Sequence, residues 1–137
     1  MRKQYLAALP LAFAVSISYG TGRTQTQFEM NKQACEEYKR ADVRLNRAYK
    51  QILEQYSGNA AFIERFKAAQ RAWLAFRDAY LESLYPEEDK QRYYGTANST
   101  CTCLVMKDLT NQRVKQLEQW TTGIPEGDIC AGSRKTR

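Results

Sequence analysis

Apolar side chains recur at steps of three and four along three stretches of the chain, the spacing that lines one face of an α-helix. The first row is Met30, Ala34, Tyr38, Ala41, Leu45, Ala48, Tyr49, Ile52 and Tyr56. Ser57-Gly58 closes it, glycine suiting the left-handed position after a helix, and Asn59 follows as a candidate N-cap. The second row is Phe62, Phe66, Ala69, Trp73, Phe76, Tyr80 and Leu84, halted by Pro86, which cannot continue the hydrogen-bond ladder. Residues 86–100 are polar and irregular, with a charged start and an aromatic middle. A third helix is predicted from about Cys103 to Trp120, with Met106, Leu109, Arg113, Leu117 and Trp120 on one face and Gly123 and Pro125 ending it. No stretch alternates as a strand would, and no internal repeat is visible. The short link at Ser57-Gly58-Asn59 forces the first two helices antiparallel. The longer second link lets the third return. The expected fold is all-α, an up-down-up three-helix bundle, with a polar loop between helices two and three, stabilised by disulfides.

The N-terminus has a different pattern. Met1-Arg2-Lys3 is basic, Tyr5 to Ile17 is apolar and uncharged, and Ser18-Tyr19-Gly20 resembles a cleavage site. This order predicts a secretory signal peptide over residues 1–20, cut after about Gly20, followed by a single domain over 21–137 with a short basic C-terminal tail. The apolar run is short and broken by Pro10, so neither a membrane span nor, with no cysteine near the cut, a lipid anchor is expected. The expected location is periplasmic or secreted. In an oxidising compartment the four cysteines, Cys35, Cys101, Cys103 and Cys130, read as up to two disulfides. A metal site is disfavoured by the absence of histidine and of any C-x-x-C pair. A Cys101–Cys103 bond would close a strained ring, which leaves Cys35 with one of the pair and Cys130 with the other. The bundle topology also brings Cys35 near Cys101 and Cys103.

Charge changes the picture less than it promises. The whole chain is +6. Removing Arg2 and Lys3 leaves +4, and setting aside Arg134, Lys135 and Arg137 leaves +1. The basicity sits at the ends, the tail reading as solvated, and no clustered basic face marks a nucleic-acid partner. Polar residues do interrupt the apolar rows: Asp42 and Asn46 on helix one, Gln70, Arg77 and Asp78 on helix two, Thr110 and Arg113 on helix three. They could form an acid/base site, and a hydrolase using Asp42 or Asp78 is one reading. The favoured reading is a paired polar network that fixes helix register, since buried polar groups need partners and Arg–Asp pairs supply them. No catalytic residue and no cofactor is assigned. Of the nine tyrosines, Tyr38, Tyr49, Tyr56 and Tyr80 have core spacing, whereas Tyr93 and Tyr94 lie in the loop. There, with Glu87, Glu88, Asp89, Lys90 and Arg92, they either anchor a partner or fold back over the bundle end.

Three motifs occur in order: Ala41-Asp42-x-x-Leu45-Asn46-x-x-Tyr49, then Ala69-Gln70-Arg71-Ala72-Trp73-x-x-Phe76-Arg77-Asp78, then Leu109-Thr110-x-x-Arg113-x-x-x-Leu117. Together they resemble the lysozyme inhibitor LprI-like N-terminal domain family, over roughly residues 28–120. The resemblance implies a small exported helical protein and, as a partner, a lysozyme-type muramidase. Three departures stand out. Leu81 occupies a position where members often carry cysteine, and the cysteine pattern is shifted. No lipidation cysteine is present. The net charge is positive, whereas docking on a basic lysozyme calls for acid, for which Glu87-Glu88-Asp89 is the local candidate. The implied function is a non-enzymatic binding protein that inhibits a lysozyme; the alternative is an envelope interaction protein without a lysozyme target.

Overall fold

The computed structural model describes residues 24–137; the expected signal peptide lies outside the described residues. Four helices follow one another: α1 (Gln27–Gln55), α2 (Ala60–Leu84), α3 (Lys90–Tyr94) and α4 (Asn98–Thr122). The architecture is all-α, with no strand among the described residues and one isolated bridge, Ile124 to Thr136. It has one more helix than the apolar pattern predicts.

Local chemistry sets the ends. Thr26 and Glu29 form a reciprocal capping box at the start of α1. The Asn59 side chain accepts from the Phe62 N–H at 3.0 Å, so the predicted N-cap holds. The α2 helix stops at Leu84, two residues before Pro86. The extra helix, α3, is a single turn and a half opened by Asp89, whose carboxylate accepts the Arg92 N–H, and closed at Gly95 with φ 74°. The last helix, α4, begins five residues earlier than expected.

Cys35 is bonded to Cys103 near the starts of α1 and α4, and the Tyr56 hydroxyl donates to the Trp120 carbonyl at 3.2 Å near their ends, so these helices run in the same direction. Their backbones are in the closest contact of any pair. The reason is small side chains at heptad spacing: Ala34, Ala41 and Ala48 on α1 are all buried, and the row Cys103, Thr110 and Leu117 on α4 repeats every seventh residue. By contrast, α2 stands off on bulky groups, Phe66, Trp73 and Arg77, and runs back along α1, as the Tyr49–Phe66 stacking and the Asp42–Arg77 pair show.

The apolar core is concentrated at one end. It comprises Leu45, Ala48, Ile52, Phe66, Val114 and Leu117, with Tyr56, Phe62, Trp73 and Trp120 packed around it. Leu45, Ile52 and Leu117 are fully buried, each contributing about 1.5–3 kcal/mol from transfer out of water. The opposite end holds the disulfide and polar ties: Lys107 to Glu37 at 3.2 Å and Gln27 to Thr100 at 3.1 Å.

One expectation needs correction and another is refined. The structure forms one disulfide, Cys35–Cys103, and leaves Cys101 and Cys130 exposed and unpaired. Between them lies nearly all of α4, about 30 Å at 1.5 Å per residue, far beyond the reach of a disulfide. The basic tail leaves Lys135 and Arg137 exposed to solvent, as expected, but its backbone folds back onto the bundle. Ile124 N–H donates to Lys135 and Arg137 N–H to Ile124, both at 2.9 Å. Arg134 binds Gln119 and the Cys130 carbonyl, and the Lys135 ammonium sits 5.8 Å from the centre of the Tyr56 ring. Gly123 makes this return possible. Its φ is 81°, and a Cβ there would meet the Lys135 carbonyl oxygen at 3.1 Å.

Candidate functional site

The polar residues of the three long helices fall into two groups on either side of Trp73. Between α1 and α2, Arg77 bonds Asp78 at 2.8 Å and lies 4.0 Å from Asp42, which accepts from Asn46 at 3.0 Å. Between α2 and α4, Arg113 donates to Gln70 at 3.1 Å and to Gln116 at 3.0 Å. The two guanidiniums lie over the Trp73 ring, at 5.5 and 5.8 Å from its centre, a cation–π arrangement that lets Arg replace an apolar residue there. Burial lowers the Arg113 pKa from its ordinary value and raises that of Tyr38, which lies near Arg77 and Asp42.

The burial is unequal in a way that bears on chemistry. Arg77 is 9% exposed, but the side chains of Asp42 and Asp78 are 41% and 62% exposed. A water-excluded pair of carboxyls is therefore not formed, and none of the main clefts is lined by either residue. Thr110 stands apart from both groups. It is completely buried and its hydroxyl has no partner. Its contribution is its small size on the face of α4 that meets α1. Among the described residues no group of three or more Cys, Asp or Glu could hold a metal.

The connection from α2 to α4 presents a different surface. Glu87, Glu88, Asp89, Arg92 and Tyr93 are exposed, and Glu87, Asp89, Arg92 and Tyr93 line a shallow depression. Lys90 is engaged: it binds Glu82 at 2.8 Å and anchors α3 to the last turns of α2. The paired tyrosines separate. Tyr93 is 69% exposed, while Tyr94 is half-buried with its ring edge-on to Tyr85 at 5.2 Å. Burial raises the Tyr85 pKa, and the Cys101 thiol beside it adds to the rise.

The polar pair on α1, the Gln-x-x-Trp-x-x-x-Arg-Asp run on α2 and the Thr-x-x-Arg run on α4 follow in the order on which the resemblance noted in the sequence rests. The model of the lysozyme inhibitor LprI family matches residues 19–117. The chain belongs to the lysozyme inhibitor LprI family. No curated protein and no solved structure matches it. The family match ends within α4, so the folded-back tail with Cys130 lies beyond it. Membership of an inhibitor family and the Cys35–Cys103 bond both suggest an extracytoplasmic protein. No described helix is long and apolar enough to cross a membrane.

Sequence reasoning missed one feature of this LprI-family surface. Phe76, Tyr80 and Leu84 have core spacing, yet they are 54%, 40% and 41% exposed. The face that α2 turns inward is Phe66, Gln70, Arg77 and the half-buried Leu81 and Tyr85. The apolar row drifts off this face because its repeat is shorter than the inward one. Arg77, itself in the family motif, was the signal that the inward row changes character there.

Proposed function

We propose that this LprI-family protein is exported by cleavage after about Gly20 and acts as a non-enzymatic inhibitor of a lysozyme-type muramidase. The observation that carries this reading is the family match over residues 19–117. Glycoside hydrolysis by such enzymes needs two carboxyl groups facing a sugar-binding cleft. An inhibitor works by filling that cleft and covering the carboxyls. The α2–α4 connection is the docking element: Arg92 is the exposed cation that meets a carboxylate, and Tyr93 is the protruding ring that takes a sugar subsite. Lys90, paired with Glu82, is the less available of the two cations. The polar groups around Trp73 set helix register and take no part in chemistry.

The test is lysis of bacterial cell walls followed by turbidity, with purified protein and several lysozymes. Slowed lysis at about micromolar protein, relieved by Tyr93→Ser with Arg92→Gln, is the expected outcome. Unchanged lysis for every enzyme would exclude inhibition. A pull-down that instead captures a non-lysozyme envelope protein, lost when residues 86–100 are deleted, would establish the envelope interaction reading.

A further inference from the structure

The α2 flank has no structural reason to be apolar. Phe76 and Tyr80 pack ring against ring at 5.9 Å, with Leu84 one turn on, and all three face solvent beside an inward face already filled by Arg77, Leu81 and Tyr85. Leu84 adjoins Tyr85, whose ring contacts Tyr94 and through it Tyr93. The exposed apolar strip runs along the outer flank of α2 from Phe76 to Leu84, and the half-buried Tyr85 and Tyr94 lie between it and Tyr93. Its charge setting is one-sided. Residues 78–89 contain Asp78, Glu82, Glu87, Glu88 and Asp89 and no basic residue, in a chain whose net charge is +6. Arg77 and Lys90 engage the first two, and among the described residues the last three form no ion pair. An apolar centre with a charged rim is how protein interfaces are built, and a rim of one sign selects a partner of the other.

We infer that the α2 flank, Phe76, Tyr80 and Leu84 rimmed by Glu87, Glu88 and Asp89, is a docking face for a protein with a basic surface, and that it supplies most of the grip while the connection enters the cleft. This rests on the lysozyme reading and extends it from the loop to the helix. The two parts do different work. The apolar strip slows dissociation. The acidic rim speeds association, most strongly at low salt, where charges act over distances longer than the ~10 Å screening length of 0.1 M salt.

The test measures association and dissociation rates of the full-length protein on an immobilised basic lysozyme that it inhibits, at low and high salt. Phe76→Ala with Tyr80→Ala and Leu84→Ala keeps good helix formers at exposed positions, and circular dichroism checks that helicity is kept. This variant is expected to dissociate at least about tenfold faster with little change in association. Glu87→Gln with Glu88→Gln and Asp89→Asn keeps the α3 cap and is expected to associate several-fold more slowly at low salt only. Wild-type rates in the triple-alanine variant would overturn the inference and leave the lysozyme reading standing. So would sedimentation showing a wild-type dimer that the same variant makes monomeric, since a second copy then covers the strip. A wild-type protein that binds no basic lysozyme would overturn this inference, and one that inhibits no lysozyme of any charge would overturn the reading with it.

Discussion

Replacing Cys35 by Ser opens the one covalent tie between α1 and α4, and the effect can be worked from the chain. The bond spans 68 residues. Closing a loop of that length removes denatured-state entropy equivalent to about 4 kcal/mol at 25 °C. A domain of this size has a net stability of roughly 5–15 kcal/mol, so the tie is a large part of it. The apolar core lies at the other end of the helices and stays intact, so the variant remains helical but marginal. In urea, with a slope of roughly 1.5 kcal/mol per molar, the midpoint falls by about 2–3 M. The assay is urea unfolding followed by circular dichroism for Cys35→Ser, Cys103→Ser, the double variant, Cys101→Ser and Cys130→Ser. The first two should lose the same amount and the double variant no more than either, because a lone thiol has nothing left to bond. Cys101→Ser and Cys130→Ser should stay within about 0.5 kcal/mol of wild type, being exposed and unpaired. A loss in Cys101→Ser equal to that in Cys103→Ser would refute the pairing. A loss below about 1 kcal/mol in Cys35→Ser would refute the entropic reasoning.

Thr110→Val removes a fully buried hydroxyl that has no partner while keeping the shape of the side chain, so the protein should gain up to about 1–2 kcal/mol in the same urea assay. Glu37 reports on acid sensitivity. Hydrogen bonds from Gln33 and Lys107, and the Lys107 charge, hold its carboxyl below the ordinary 4.5. A depressed folded-state value stabilises the protein above the ordinary value, and that contribution is lost as the pH falls through the lowered one. Carbon-detected titration should place the Glu37 midpoint below 4.5 in the wild type and closer to it in Lys107→Met.

Much of the fold could be read from side-chain spacing because the long helices are amphipathic and their breaks are chemically explicit. Asn59 caps α2 with its own side chain and Pro86 ends the backbone ladder, both local acts, whereas Gly58 does not take the left-handed conformation expected of it. The all-α class and the family follow from such local signals. What spacing could not settle depended on which helix face turned inward. On α2, Phe76 and Arg77 are neighbours on adjoining faces, and the apolar one faces water because the guanidinium of the other stacks on Trp73. The α3 turn carries no apolar row, although Asp89 and Gly95 bracket it as cap and stop. The cysteine pairing was open at Cys101 and Cys103, yet one row was available to decide it. Cys103, Thr110 and Leu117 share the face toward α1, and Cys101, two residues back, points about 200° around the helix. The tail's charges at Lys135 and Arg137 do lie in solvent, but charge alone carried no signal of the fold-back, in which Ile124 holds its backbone and Gln119 holds Arg134.

The Cys35–Cys103 bond also decides what a protease can do to this molecule. The whole of α2, α3 and the exposed connection lies inside the ring that it closes. A single cut in the connection, where Glu87, Glu88 and Asp89 are exposed, would leave one covalent molecule with α1 still fastened to α4. The core that joins α2 to both lies at the far end, near Phe66 and Trp120, and would go on holding the severed helix in place. A nicked copy would run as two fragments only after reduction. Such a ring lets an exposed stretch be cut without the scaffold falling apart.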